Sequence, residues 1–247
     1  MWSYIKFELK NIIGYSIAMI VGGILPLILV MGNYKSTENL LENQGLAKAL
    51  FANMLPMIPL GLVILPFTIA FGRDVSNGVT TRLSLFGYTT TKQLVAKFVS
   101  VLMLVLVVTT IYCVVLTYIL PLPPLSALSM ANIFISIVML SVSLYLLSFV
   151  IAQVFQGFNL IQGIAMICYF GIAFLTGSMG TFQLPNVVEN VMQWIPFKAF
   201  RDTLTKNWET TSITVMQDEA TKMILFLSAT VILFFLTTYY RRVKKLT

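Results

Sequence analysis

The stretch "VSVLMLVLVVTTIYCVVLTYIL" (Val99–Leu120) decides the fold, because it is long, apolar and free of charged residues. A helix of this length covers roughly the 30 Å hydrocarbon core of a bilayer. The whole chain agrees: 58% of its 247 residues are hydrophobic and 10% are charged, whereas a soluble domain has about 25% charged residues. We therefore predict an all-α, polytopic membrane protein, and a soluble globular domain is excluded.

Similar apolar runs recur along the chain and predict one transmembrane domain, residues 1–247, with six spans. The spans lie at about 11–32, 50–72, 99–120, 128–152, 158–176 and 222–240. We expect no ionisable residue in the middle of any span, which argues against a proton- or sodium-coupled carrier. The two cysteines, Cys113 and Cys168, lie inside apolar runs and are expected to be small buried side chains, not a disulfide.

Lys and Arg predict the orientation of the chain, because they are enriched in cytoplasmic loops. Placing both termini in the cytoplasm puts most of them inside, namely Lys6, Lys10, Arg73, Arg82, Lys92, Lys97, Arg241, Arg242, Lys244 and Lys245. The net charge of +7 is then explained by topology, and no nucleic-acid partner is expected. We expect a multi-pass protein of a bacterial plasma membrane, without a cleaved signal peptide.

The amino-terminal segment has the pattern of a short amphipathic helix lying in the membrane interface. Lys6 and Lys10 lie four residues apart on one face. The apolar residues at helical spacing on the other side are Trp2, Ile5, Leu9, Ile12 and Ile13. The alternative is a simple extension of the first span.

Two sets of residues inside the spans allow either a functional or a packing interpretation. Pro56, Pro59 and Pro66 would bend the second span, giving a hinge or the wall of a route, or only a packing irregularity. In the fourth span small polar residues share one helical face, which favours close helix packing. A polar wall along a substrate path is the alternative for that face, whose members are Ser129, Asn132, Ser136 and Ser143.

The segment between the fifth and sixth spans predicts a short re-entrant pair of helices. Pro185 suits the first turn of one helix, and Pro196 ends it before a second stretch, "PFKAFRDTL" (196–204). Both are too short to cross the membrane. The residues expected to mark this segment are Pro185, Trp194, Pro196, Phe197 and Arg201. An amphipathic cap on the outer surface is the alternative.

The chain lacks the residues that most catalytic sites use. It has no histidine, which removes the commonest general base and metal ligand. No Gly is followed by Lys, so the Walker A pattern GxxxxGK[ST] cannot occur. We expect no catalytic, cofactor or metal site, and any energy from ATP must come from a separate protein.

Three motifs resemble those of ABC-2 type permeases, the membrane half of ATP-driven exporters. They are "KFELKNIIGY" (6–15), "RDVSNGVTTRLSLFGYTTTKQLVAKF" (73–98) and "WIPFKAFRDTL" (194–204). The order of elements along almost the whole chain is similar to that family as well. One departure is that a Glu often found early in the second motif is replaced by Asp74 or the neutral Asn77.

The resemblance implies a coupling helix in a cytoplasmic loop at 73–98, seated in a groove of a cytoplasmic ABC ATPase. Apolar side chains would fill a notch, charged ones would pair with its rim, and glycines would form the turns. The residues implied are Arg73, Asp74, Asn77, Gly78, Arg82, Leu83, Leu85, Phe86 and Gly87. Two ATPase subunits would hold ATP and Mg, and a second permease, identical or related, would complete the transporter. A solvated basic loop is the alternative, although the apolar "LSLF" (83–86) argues for a partner.

The expected cargo is amphipathic or hydrophobic: a peptide, toxin, bacteriocin or drug. Spans rich in Met and Phe suit such cargo through adaptable contacts, and they also suit plain core packing. Export of a polysaccharide, a teichoic acid or a lipid-linked glycan is the alternative. A non-transporting assembly or sensor protein is a third hypothesis.

Overall fold

The computed structural model describes residues 1–14, 19–36, 44–155, 157–177, 194–209 and 213–244. All regular structure in these ranges is helical, which confirms the all-α class. Two short π-helical turns interrupt the first membrane helices. In chain order the elements are α1 (Trp2–Ile13), π1 (Met19–Ile24), α2 (Leu25–Ser36), α3 (Gln44–Met54), α4 (Met57–Pro59), π2 (Leu60–Ile64), α5 (Leu65–Ser76), α6 (Val79–Leu85), α7 (Thr90–Ile119), α8 (Ala127–Val154), α9 (Phe158–Leu175), α10 (Pro196–Lys206) and α11 (Ile213–Lys244).

Five helical segments have the length and apolar composition needed to cross a membrane. They are Gln44–Ser76, Thr90–Ile119, Ala127–Val154, Phe158–Leu175 and Met216–Tyr240. A shorter apolar helix, Met19–Asn33, stands in the place of the first predicted span. The chain is therefore a multi-pass helical membrane protein.

The segment Gln44–Ser76 forms the centre of the bundle. Its apolar window is 94% buried, against 11% for that of Met216–Tyr240. Pro56, Pro59 and Pro66 are all buried within it. Because proline has no N–H to donate, it interrupts the regular i to i−4 bonding, and π2 lies between two of these prolines.

The two π-helical turns touch each other through glycine. A Cβ atom on Gly61 would lie 2.6 Å from the Cα of Gly22, and one on Gly22 would lie 2.6 Å from the backbone nitrogen of Leu62. No side chain fits between backbones at this distance. Gly22 and Gly61 therefore set how closely the first membrane helix approaches the central segment.

The bundle has two ends, which we call the α6 end and the distal end. At the distal end α10 packs against α3, α8 and α11. The Arg201 guanidinium donates to Asn53 Oδ1 at 2.7 Å and to the Thr176 carbonyl at 3.0 Å. The Trp208 indole donates to the Pro123 carbonyl at 2.9 Å. These bonds join α10 and its flanks to the ends of three membrane helices.

The helices extend beyond several of the predicted spans. α1 continues to Ile13 and the described helix resumes at Met19, within the predicted first span 11–32. α5 continues to Ser76 and α7 begins at Thr90, so both helices run into the segment 73–98, which holds α6 between them.

Candidate coupling site

α6 is a short helix held between two glycines that adopt left-handed backbone angles. Gly78, just before it, has φ +67° and Gly87, just after it, has φ +85°. Side chains other than glycine are strained in this region. The glycines therefore allow the chain to leave α5, make one short helix across the end of the bundle, and turn back into α7.

The apolar residues of α6 and its C-cap point in two directions. Leu85 is 82% exposed and Phe86 is 80% exposed. Leu83, in contrast, packs against a small buried cluster of Tyr4, Ile5 and Ala96. Leu83 was expected to fill a notch of a partner together with Leu85 and Phe86. The structure disagrees, because Leu83 lies on the opposite, inward side.

Gln93 attaches α6 to the start of α7. Its side chain is 1% exposed, and its Nε2 donates to the carbonyls of Thr80 at 3.1 Å and Tyr88 at 2.7 Å. These two acceptors lie on either side of the exposed Leu85 and Phe86. The amide therefore holds the whole turn against the first membrane-entering residues of α7.

Three charged side chains from three segments meet beneath α6. The Lys97 ammonium on α7 lies 3.0 Å from both carboxylate oxygens of Glu8 on α1. It also lies 2.9 Å from Asp74 Oδ2 on α5. Lys97 and Glu8 are each 3% exposed. We call these residues the Lys97 triad.

The Lys97 triad gives Asp74 a partner within the chain. Its side chain is still 19% exposed, and its pairing with the rim of an ATPase groove stays a prediction. Removing one partner of a buried pair such as Lys97 and Glu8 typically costs about 3–5 kcal/mol, because the remaining charge stays desolvated. The triad therefore fixes α1, α5 and α7 relative to each other.

Further contacts of α1 reinforce this arrangement. Ser100 Oγ on α7 donates to the Ile5 carbonyl at 2.9 Å, and the rings of Tyr4 and Tyr88 lie 5.0 Å apart. Burial raises the pKa of the Tyr4 hydroxyl, and the negative charges of Glu8 and Asp74 raise it further. Tyr4 is thus a neutral group that links the α1 surface to the turn after α6.

α1 packs on the protein through part of the predicted apolar face. Its buried side is formed by Tyr4, Ile5, Glu8 and Ile12, with Leu9 half-buried. Trp2, Lys6 and Lys10 are exposed, and the Lys6 ammonium lies 5.6 Å from the centre of the Trp2 ring. The sequence pattern placed Ile5 on a membrane face, but Glu8 and its partner Lys97 draw that side toward α7.

Three other polar residues of the predicted coupling site lie at the surface of the protein. Arg73, Asn77 and Arg82 are exposed, and one guanidinium nitrogen of Arg82 donates to the Asn77 carbonyl at 3.4 Å. The exposed rim around Leu85 and Phe86 is therefore basic.

At the distal end the predicted polar face of the fourth span meets an acid. Ser136 Oγ donates to Glu219 Oε1 at 2.7 Å, and Asn132 Nδ2 donates to Glu219 Oε2 at 3.2 Å. Ser143 bonds only within its own helix, to the Met139 carbonyl at 3.0 Å. Glu219 is 2% exposed and lies within the Met216–Tyr240 segment. Glu219 lies near the start of that segment and before the predicted span 222–240, so it does not bear on the expectation that no span carries an ionisable residue in its middle.

Only part of the predicted re-entrant segment can be compared. Pro185 falls outside the described residues. Pro196 opens α10, where Phe197 is 2% exposed. Trp194 precedes it and is 60% exposed.

The comparison with known families agrees with this architecture. The model of the ABC-2 family transporter proteins matches residues 30–240. This chain belongs to that family. It is therefore a membrane component of an ABC transporter, works with an ABC ATPase subunit, and is not itself the catalytic subunit. No curated protein matches the chain.

Sequence reasoning missed the residues that hold this ABC-2 protein's α6 end together. Glu8, Lys97 and Gln93 were not singled out, although one signal was available. Glu8 recurs with Tyr4 and Ile12 at four-residue spacing, so a lone acid stands on an otherwise apolar side of α1. An acid in that setting indicates a buried basic partner.

Proposed function

We propose that this chain is the permease subunit of an ATP-driven exporter and that α6 is its coupling helix. The observation that carries the proposal is the pair Leu85 and Phe86, 82% and 80% exposed at the tip of a rigidly attached turn. Exposed apolar side chains of this size, outside the spans, are typical of a partner site. A groove on the ABC ATPase that buries both would gain several kcal/mol, at about 1.5–3 kcal/mol for each side chain.

The attachment of α6 explains how force would pass from the motor to the membrane helices. Gln93 joins the turn to α7, and Leu83 and Tyr88 rest on α1. The Lys97 triad then joins both to α5. A push on α6 when the ATPase subunits close on ATP and Mg would therefore move α1, α5 and α7 as one unit.

In this proposal the α6 end faces the cytoplasm with both termini inside, and two ATPase subunits serve a pair of permeases. Exposed Arg73 and Arg82 would meet acidic groups on the rim of the ATPase groove.

The cargo is amphipathic or hydrophobic, such as a peptide, toxin, bacteriocin or drug, and it leaves the cell. Support for the cargo class comes from the apolar spans, which present Met and Phe and few charges.

The test is co-purification of the tagged chain from its own host membranes in mild detergent. We expect an ABC ATPase with a Walker A motif to accompany the wild type and to be lost from Leu85→Asp and Phe86→Asp. Thr91→Asp is the matched control, because Thr91 is also exposed but lies in the first turn of α7. Unchanged ATPase recovery with both tip variants would refute docking through α6.

Leu83→Asp separates docking from folding. Because Leu83 packs inward on Tyr4, Ile5 and Ala96, this variant should lower the thermal unfolding temperature. The two tip variants should leave it unchanged. If Leu85→Asp and Phe86→Asp also lower the thermal unfolding temperature, loss of the ATPase would reflect misfolding and not lost docking. The conclusion that Leu85 and Phe86 face outward would then be wrong.

A further inference from the structure

Glu219 is a carboxyl group within the membrane domain that is surrounded by neutral donors. Its two oxygens accept hydrogen bonds from Ser136 and Asn132 of α8, and Thr203 of α10 also bonds to it. The residue is 2% exposed. Three helices, α8, α10 and α11, therefore converge on one acid.

The charged side chains on the three helices that meet at this acid belong to α10 and α11. α8 contributes none, since no Asp, Glu, Lys or Arg occurs between Ala127 and Val154. On α11, Asp218 pairs with Lys222 at 2.8 Å. The charged residues of α10 are Lys198, Arg201, Asp202 and Lys206. Among the described residues no ion pair joins Glu219 to a cation.

A buried carboxylate without a counter-charge is costly in a low-dielectric interior. Proteins reduce this cost with a cationic side chain, a metal ion or hydrogen-bond donors, or remove it with a proton. The Lys97 triad uses the first solution. At Glu219 hydroxyl groups surround the acid, and a hydroxyl can accept a hydrogen bond as readily as it donates one. In the structure Ser136 and Asn132 donate to the acid. Rotation of the Ser136 or Thr203 hydroxyl would let it accept a hydrogen bond from the protonated carboxyl group.

A small cavity lies beside the acid and gives a proton a place to enter. Its polar lining consists of Ser129, Asn132, Thr203 and Asn207, its apolar lining of Leu128, Leu204 and Met216, and its volume is about 10 Å³, close to the minimum that holds one water molecule. Asn132 and Thr203 are also hydrogen-bonding partners of Glu219. A water molecule in such a polar space finds the partners it needs.

We propose that Glu219 is a proton-binding site at the distal end of the bundle, and that its proton exchanges through this cavity. In the protonated state α11 packs on α8 and α10 as observed. Loss of the proton places an uncompensated charge between the three helices and loosens that packing. The site links the pH of the solution at the distal end, which is the outside in the orientation proposed above, to the position of the last membrane helix.

The test is infrared difference spectroscopy of the purified full-length chain in detergent, titrated with pH. A protonated carboxylic acid has a carbonyl stretch that a carboxylate lacks. We expect this band in the wild type, a loss of the band on raising the pH, and no band from this residue in Glu219→Gln. Asp218→Asn is the matched control, because Asp218 is the next residue but its side chain is 64% exposed and paired with Lys222.

Thermal unfolding over the same pH range gives the second measurement. The wild type should lose stability as the acid band disappears, whereas Glu219→Gln, which is neutral at every pH, should not show that loss. An acid band that is absent at every pH at which the chain is folded would overturn the proposal. So would a band whose midpoint shifts with sodium but not with choline at equal ionic strength, because the site would then hold a metal ion. Neither measurement involves an ATPase, so failure here leaves the docking proposal intact.

Discussion

Both ends of the bundle bury carboxyl groups, but they neutralise them differently. At the α6 end Lys97 stands 2.9–3.0 Å from the carboxylates of Glu8 and Asp74. At the distal end Glu219 has only neutral partners from α8 and α10. A covalently tethered cation cannot leave, so the first arrangement fixes three segments permanently. The second has no tethered counter-charge among the described residues, so its packing can respond to solution conditions.

The largest effect is expected from removing the tethered cation. Lys97→Met leaves the buried Glu8 carboxylate and the half-buried Asp74 carboxylate without their partner and should lower the free energy of unfolding by about 3–5 kcal/mol. Lys92→Met is the control, because Lys92 is exposed and its ammonium donates to the Gly87 carbonyl at 3.4 Å, with no ion pair among the described residues. The measurement is thermal or denaturant unfolding of both variants in the same detergent. Equal stability of the two would show that the triad does not fix the α6 end.

A smaller effect is expected from removing one neutral donor at the distal end. Ser136→Ala deprives Glu219 of a bond of 2.7 Å and should cost about 1–3 kcal/mol, the usual range for a buried polar group left without a partner. Ser143→Ala is the control, because Ser143 is also buried in α8 but donates to the Met139 carbonyl of the same helix. If unfolding shows the same loss for both serines, the contact between α8 and Glu219 does not stabilise the distal end.

The membrane class and the exposed tip of α6 were predictable, because both follow from local pattern. Long apolar runs require helices in lipid, and "LSLF" between two glycines marks a short apolar turn. The Lys97 triad and Glu219 were not predictable in the same way. Their members are far apart in sequence: Glu8 and Lys97 are separated by 89 positions, and Ser136 and Glu219 by 83 positions. Hydropathy placed Glu8, Lys97 and Glu219 outside the predicted spans, whereas the fold pairs them with residues of other helices.

The ends of the helices differ from the ends of the apolar runs. The prediction ended the second span at 72 and began the third at 99, next to the first charged residues. In the structure α5 and α7 continue past these positions and include Asp74 and Lys97, which pair at 2.9 Å. A charged residue therefore marks the edge of an apolar run here and not the end of a helix.

The smallest effect is expected from a change in the central segment, between the two ends of the bundle. Thr68 of α5 is 0% exposed, and among the described residues its hydroxyl has no hydrogen-bond partner. Thr68→Val removes that unsatisfied group and should be neutral or stabilise the fold by up to about 1 kcal/mol. Thr230→Val is the control, because Thr230 is equally buried but donates to the Leu227 carbonyl at 2.8 Å. A loss of stability or of transport in Thr68→Val alone would mean that the centre of the bundle needs a polar group. That result would favour Pro56, Pro59 and Pro66 as parts of a route, because they bend the same buried segment.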